Sequence, residues 1–413
     1  MLIKFKLQVF VASALLFFAF GQSTHAQVIS RWTAGGANDA FYNNSNWDTG
    51  IPPVDGVGIF DLVGLSEVDI NADAELLRIS FNGGDFLFSG GNTLQLTDPD
   101  ISAVIGGGFE LLSLILRGPG TTMVAAGEVI TSDFGTLAMD RAIFESESTL
   151  FNQGRLLFDG GFANLDANVR SFQNGTIEVP ISNSGPVNFL QDLQHNGNEI
   201  FIAAGKRINI FGGYAGRGPI NGTGVIHFRG QIDPGVNSNQ FLFGFIPVEG
   251  DVVIESSANL TTRLNGEDIP GSDRLEVGGD LAMQLPTLSV AVTEGCELLP
   301  GDEYTIVDVA GTRSGTFLGH PEGDVVRTFG DIDMQISYNG GDGNDITLTA
   351  IDNGALLGDV NQDGQINLLD VGPFVTRITQ GSFQAEADVN EDGLVDLLDI
   401  TRFVDLLTGN GGG

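Results

Sequence analysis

The feature that most restricts what this chain can fold into is a twelve-residue pattern that occurs twice, 29 residues apart, in its last sixty residues. The first copy places Asp359, Asn361, Asp363, Gly364, Gln365, Asn367 and Asp370 at positions 1, 3, 5, 6, 7, 9 and 12. The second places Asp388, Asn390, Asp392, Gly393, Leu394, Asp396 and Asp399 at the same positions. Oxygen-bearing side chains at 1, 3, 5, 9 and 12 with Gly at 6 are what a chain needs to wrap around a hard, oxygen-seeking cation. Gly364 and Gly393 take the sharp turn, and position 7 supplies only its backbone carbonyl, so Gln365 and Leu394 are free to differ. Two calcium ions, one per loop, are the expected ligands. The first loop gathers three carboxylates and the second four, so each repels itself without metal and binding is coupled to folding. The second loop is expected to bind more tightly.

The duplication extends past the ligands. Leu368 matches Leu397, Leu369 matches Leu398, Val371 matches Ile400, Phe374 matches Phe403, Val375 matches Val404 and Ile378 matches Leu407. These apolar positions recur at helical spacing after position 12, which predicts one amphipathic helix after each loop, the second ending near Gly409. No helix is predicted before either loop, because Asn353-Gly354 and Gly381-Ser382 form turns. Pro373 is tolerated only if it falls within the first turn of its helix.

On these residues, the segment from about 357 to 409 resembles a dockerin of type I, a calcium-binding module that plugs secreted proteins into cohesin domains of a scaffold or cell surface. Two in-register loops, Asp at position 12 and loop-then-helix order carry the resemblance. It implies a small all-α domain and a cohesin-like partner. Cellulosomal dockerins usually carry small hydroxyl residues at loop positions 10 and 11, where this chain has Leu368-Leu369 and Leu397-Leu398. Those four leucines are the candidate partner-binding residues.

Residues 1–26 read as a secretory signal: Lys4 and Lys6 supply a positive start, Val9 to Phe20 an apolar core, and Thr24 to Ala26 a small-residue cleavage site. The apolar run is too short for a membrane span, and no later stretch approaches that length. The mature protein is expected to be exported and not membrane-spanning, in surroundings where millimolar calcium suits such loops. The chain holds 53 acidic and 18 basic side chains. That balance argues against nucleic acid and anionic membranes as partners, since phosphate backbones call for clustered Lys and Arg. The single Cys296 excludes an intrachain disulfide framework and reads as a buried small apolar residue rather than a nucleophile.

Fifty-nine glycines with 42% apolar residues point to many short strands joined by tight turns. Leu76 to Ser80, Asp85 to Phe88 and Thr93 to Leu96 make three short strands in about two dozen residues, the rhythm of a parallel β-helix coil. Arg155 to Phe158, Thr176 to Val179, Glu199 to Ile202, Arg207 to Phe211 and Val225 to Phe228 repeat it loosely. Short alternating strands also suit a sandwich. The fold class expected is therefore mostly β: a Gly-rich short-strand solenoid, read as a right-handed parallel β-helix, over residues 27–250, a β module or cap over 251–351, and the α domain over 352–413. The opening from Trp32 to Pro53 is expected to seal the end of the stack, with sugar stacking by Trp32 or Trp47 as the alternative. Together with strands between Asp273 and Leu348, it resembles bacterial surface and autotransporter-associated β-helix proteins, which implies a fold and no chemistry. Gly340 to Asp345 is read as a tight hairpin turn rather than a metal repeat.

No residue pattern in the sequence names a catalytic group. The basic cluster Lys206, Arg207, Arg217, His227 and Arg229 spans two coil-lengths and reads as solvated or salt-bridged cations. Gly-x-Ser-x-Gly, His-Glu-x-x-His and phosphate-binding glycine loops are absent from the sequence. Three functions stay open: a non-catalytic exported β protein that docks through its calcium module, a polysaccharide lyase or glycoside hydrolase carried by that module, and a calcium-stabilised terminal domain with no docking partner. The short linker at about Asp352 to Leu357 would hold the module close to the β domain.

Overall fold

The computed structural model describes residues 28–408 apart from 63, 82–83, 106–111, 134, 236–243, 266–270, 294–295, 353–355, 391 and 393. The expected leader, most of the expected linker, and Gly393 lie outside the described residues. Among the described residues, no helix is long and apolar enough to cross a membrane.

Strands follow the chain in a repeating order of three. Val57–Phe60, Leu65–Asp69 and Ala74–Leu76 open the series, and the next three, Arg78–Phe81, Asp85–Ser89 and Thr93–Leu96, pair in parallel with the first three in turn. Three parallel ladders result, one per face of a β-helix. Val57 lies beside Arg78 and Tyr214 beside Ile232, so one coil takes 21 residues in the first case and 18 in the second. Two faces form one 22-stranded sheet because Ile143–Asn152 and Ala163–Phe172 run unbroken round the corner between them. Ile143–Asn152 pairs with Thr122–Ala125 at one end and Glu128–Thr131 at the other. The third face is a 14-stranded sheet.

The alternation of the sequence drives this arrangement. Arg155–Phe158, Thr176–Val179 and Val225–Phe228 each point their second and fourth residues inward, and those are buried Leu156, Phe158, Ile177, Val179, Ile226 and Phe228. Stacking places like on like: Ile79, Ala103, Val129, Leu150, Val169 and Leu193 occupy successive rungs of one inward column. Each buried aliphatic side chain contributes roughly 1.5–3 kcal/mol of transfer free energy.

Both ends of the stack are closed. At the start, Trp32 and Trp47 meet edge to face at 5.2 Å, Trp47 sits 5.7 Å from Phe60, and Phe60 packs on Phe81, Phe86 and Phe88. Trp47 Nε1 donates to the Phe41 carbonyl at 2.8 Å. Trp32 is 0% exposed and Trp47 3%, so neither ring offers a face to a sugar and the stacking alternative is overturned. The parallel ladders run through residue 250 without interruption, as far as Arg313–Ser314. The change of pattern expected near 250 falls later, where Asp345–Asp352 joins Glu303–Val309 in antiparallel fashion, followed by Ile332–Gly340 and Val325–Phe329. The longer strands after 250 lengthen coils of the same helix before the antiparallel cap begins.

Gly340 to Asp345 is the hairpin turn anticipated: Gly340 pairs with Asp345, and Gly341 and Gly343 have φ of 56° and 115°, where a side chain is disfavoured. Asp345 turns back to accept the Val309 N–H at 2.8 Å. Burial raises its carboxyl above the usual range. Cys296 is only partly buried, against the buried position expected. It lies in the connection between Thr287–Val292 and Glu303–Val309, off the inward-facing strand positions.

Candidate metal centre

The last part of the chain has a core of its own, formed by Val360, Phe374, Ala387, Val389, Val395 and Phe403. Two helices supply its centre, Val371–Gln380 and Asp399–Leu407, with Phe374 and Phe403 stacked at 3.8 Å and 12°. Pro373 falls in the first turn, where its missing N–H costs nothing. The first helix stops at Gly381, whose φ of 62° lets its N–H close on Arg377 and Ile378 carbonyls. One element was missed in the sequence: a 3-10 turn, Ala385–Ala387, precedes the second loop. Gln384 in the cap of that turn donates to the Val360 carbonyl at 3.0 Å, and Glu386 within it accepts Gln362 Nε2 at 2.6 Å. The turn therefore clamps the first loop, and no periodicity marks it because it is three residues long.

The two loops repeat each other bond by bond. Asp359 is buried, its Oδ1 accepting Asp363 N–H at 3.0 Å and its Oδ2 accepting Gly364 N–H at 2.7 Å. In the second loop Asp388 is also buried and its Oδ1 accepts Asp392 N–H at 3.1 Å. Asn361 and Asn390 each accept the N–H two residues on at 2.9 Å and donate to the Asp363 or Asp392 carboxylate at 3.0 Å. Asp363 and Asp392 accept the N–H of position 7, Gln365 or Leu394, at 3.0 Å. Asn367 and Asp396 accept that of position 11 at 2.8 and 2.7 Å.

Position 12 closes each ring. Asp370, fully buried, accepts Asn361 N–H and Asn367 N–H at 2.9 Å each, tying positions 3 and 9 together. Asp399, also fully buried, does the same to Asn390 and Asp396 at 3.2 and 2.9 Å. Gly364 has φ of 82°, the left-handed turn the pattern requires. The exposed side chain of Leu394 points away, consistent with a position used only for its main chain.

The donor chemistry fits a hard divalent cation. Asp359, Asp370 and Asp399 are buried, yet among the described residues none has an ion pair, and burying a carboxylate without compensating charge is costly. Among the described residues no three His, Cys, Asp or Glu side chains already converge on one point. The loop carboxylates bond the backbone N–H groups that hold the loop's shape. Asp359, Asn361, Asp363, Asn367 and Asp370, with their counterparts, would hold calcium, which supplies the positive charge the inward carboxylates lack.

The apolar stripe following each loop splits between two faces. Phe374 and Phe403 point into the core. Leu368, Leu369, Leu397 and Leu398 are 82, 68, 71 and 69% exposed, and Val371, Val375, Ile400 and Val404 are exposed beside them. The four candidate partner-binding leucines are thus on the surface, extended by four helix residues that periodicity alone had assigned to a single amphipathic face. Part of the basic cluster comes together: Lys206, Arg207 and His227 line a common pocket, and Arg229, which lies over Phe211, shares Glu255 with His227.

The family model described as the dockerin type I domain matches residues 357–407, so this chain carries that domain after its β-helix. Domains of this type bind calcium and dock to cohesins. No curated protein matches the chain.

Proposed function

We propose that the protein is an exported, non-catalytic β scaffold whose terminal domain binds two calcium ions and docks the scaffold to a cohesin-type partner at a surface or on an extracellular assembly. The parts are a leader over residues 1–26, a capped β-helix to about residue 351, and the docking domain over 352–413. What carries the reading is the exposure of Leu368, Leu369, Leu397 and Leu398, which occupy positions 10 and 11 of the two candidate ligand-bearing loops. Four leucines at 68% exposure or more, with Val371, Val375, Ile400 and Val404 exposed on the helices that follow, are apolar surface that a domain this small has reason to keep only for a partner.

The test is calorimetric titration of calcium into the metal-stripped full chain, followed by retention on immobilised cohesin modules. The expected result is two ions per chain and retention that chelator reverses. No heat of calcium binding would sink the metal reading. Full calcium binding with no retention on any cohesin would leave the terminal domain as a calcium-stabilised end piece and overturn the docking reading.

A further inference from the structure

One small patch on the 22-stranded sheet of the β-helix carries the opposite charge to the molecule as a whole. The chain has a formal net charge of −35, and eight arginines of the β domain are tied to carboxylates: Arg31, Arg78, Arg117, Arg141, Arg155, Arg229, Arg263 and Arg274. Lys206 and Arg207 are adjacent in sequence and have no ion pair among the described residues. They line a pocket of about 400 Å³ together with Ser184, Pro186, Val225 and His227, and no carboxylate lines it. Two other pockets, of about 530 and 290 Å³, include Asp192 and Asp233 in the first and Glu303 in the second.

The pocket is built on regular structure. Arg207 and Val225 are paired residues on neighbouring strands, and Asn209 pairs with His227 one outward position along. His227 Nδ1 lies 2.9 Å from Glu255, a contact that holds the ring and depresses the Glu255 carboxyl below its usual range. The turn bearing Ser184 is pinned by Asn183, whose amide donates to Phe158 and Gly161 carbonyls at 3.0 and 3.1 Å. Asn209 is buried and donates to Asn188 at 2.6 Å, while its Oδ1 completes no hydrogen bond. Two adjacent cations without ion pairs, a fixed imidazole and a hydroxyl surround a small apolar floor of Pro186 and Val225, and buried Asn209 lies beneath on the same strand as Arg207.

We propose that this pocket is a binding subsite for an acidic sugar residue. The carboxylate would sit against Lys206 and Arg207, the ring over Pro186 and Val225, and its hydroxyls within reach of Ser184 and His227. Each charge-assisted contact is among the stronger kinds, so losing both cations should weaken binding by at least about tenfold. A sugar rather than an acidic peptide is favoured because the pocket is ring-sized, lies on one outer stripe and pairs its cations with hydroxyl- and amide-bearing neighbours.

The experiment is calorimetry on the full chain with an oligogalacturonate, with a neutral cello-oligosaccharide, sulfate and an oligoglutamate as comparison probes. Binding of the uronate alone, lost at least tenfold in Lys206→Ala/Arg207→Ala and kept in Lys206→Arg/Arg207→Lys and in Arg170→Ala, supports the subsite. Circular dichroism confirms that the variants keep the β fold. No uronate binding, undiminished binding in the double alanine variant, equal binding of sulfate or oligoglutamate, or binding that chelator abolishes, as expected of calcium bridging to the loops, would each overturn it.

Discussion

Acid should loosen the middle of the β-helix through one side chain, His195. An inward column on the first face runs Phe81, Ile105, Thr131, Asn152, Ser171, His195 and Gly216. Its polar members hold one another: Thr131 Oγ1 donates to Asn152 at 2.6 Å, and Asn152 Nδ2 donates to Ser171 at 3.1 Å and to the Thr176 carbonyl at 3.0 Å. His195 is the next rung, fully buried, and its ring nitrogens make no hydrogen bond of good geometry, only a weak contact with the Pro219 carbonyl. Two glycines wall it in. A Cβ at Gly218 would lie 2.2 Å from the ring, and one at Gly216 would lie 1.9 Å from the His195 carbonyl oxygen. Burial pushes the imidazole down from 6.5 to about 4, the Pro219 carbonyl offsetting only part of that.

The sign follows from where the proton binds. Between about pH 6.5 and 4 the unfolded chain takes up a proton at this position that the folded chain refuses, so stability falls as pH falls through that window and levels off below it. At 1.36 kcal/mol per pKa unit the loss comes to about 3 kcal/mol. A solenoid opens coil by coil, so the quantity to measure is local: amide hydrogen exchange of peptides covering Leu193–Asn196 and Tyr214–Gly216, in chelator, at several pH values. His195→Leu removes the titrating group without breaking a well-formed hydrogen bond and should cost within about 1 kcal/mol at pH 7.5. The difference in opening free energy between variant and wild type should then grow by about 3 kcal/mol from pH 7.5 to 4, other carboxylates cancelling. Parallel pH profiles for the two proteins would show that His195 is not a buried neutral base.

Three further outcomes are expected. Asp370→Ala and Asp399→Ala each remove the carboxylate that ties positions 3 and 9, so calorimetry on the full chain should show one calcium ion lost per substitution and both lost in the double variant. Asp in place of Leu368, Leu369, Leu397 and Leu398 together should abolish retention on a cohesin while leaving calcium stoichiometry intact, since these side chains face solvent; changing one pair should leave the other usable. Trp47→Ala empties the aromatic seal and should destabilise the first coils by about 3–5 kcal/mol. Trp32 is then the sole tryptophan, and a red shift of its emission reports the exposure.

Much of the fold was legible because it rests on local alternation. The four-residue strands of the middle coils, such as Thr176–Val179, announce themselves by period two, and their spacing announces the coil. What was not legible depends on neighbours distant in sequence. The unbroken corner strands Ile143–Asn152 and Ala163–Phe172 contain Glu145, Ser146, Asp166 and Asn168, which read as turn residues until two faces are seen to share one strand. The inward polar column has the same origin: Thr131, Asn152 and Ser171 look like loop residues singly and become a ladder only when stacked one coil apart. In the terminal domain every candidate loop ligand was named from spacing, yet the division of the apolar stripe was not. Phe374 and Val375 are adjacent and equally apolar, and only packing against the second helix decides that Phe374 enters the core while Val375 faces out.

That division links metal to partner. Leu368 and Leu369 occupy positions 10 and 11, between Asn367 and Asp370, and the segment is drawn tight by Asp370 accepting the Asn367 N–H while Asn367 accepts the Leu369 N–H. The same bonds frame Leu397 and Leu398 between Asp396 and Asp399. The side chains proposed to meet the partner are thus carried by the stretch of chain that the proposed ligands fix at both ends. Without a cation the buried Asp370 and Asp399 repel the other carboxylates of their loops, the ties slacken, and the leucines lose their fixed display. Calcium and partner should therefore bind with positive coupling, and by reciprocity a bound cohesin should raise calcium affinity by the same factor that calcium raises cohesin affinity. Titrating calcium with and without saturating cohesin measures both sides of that cycle, and identical calcium affinities in the two titrations would show that the leucines stay in place without the metal.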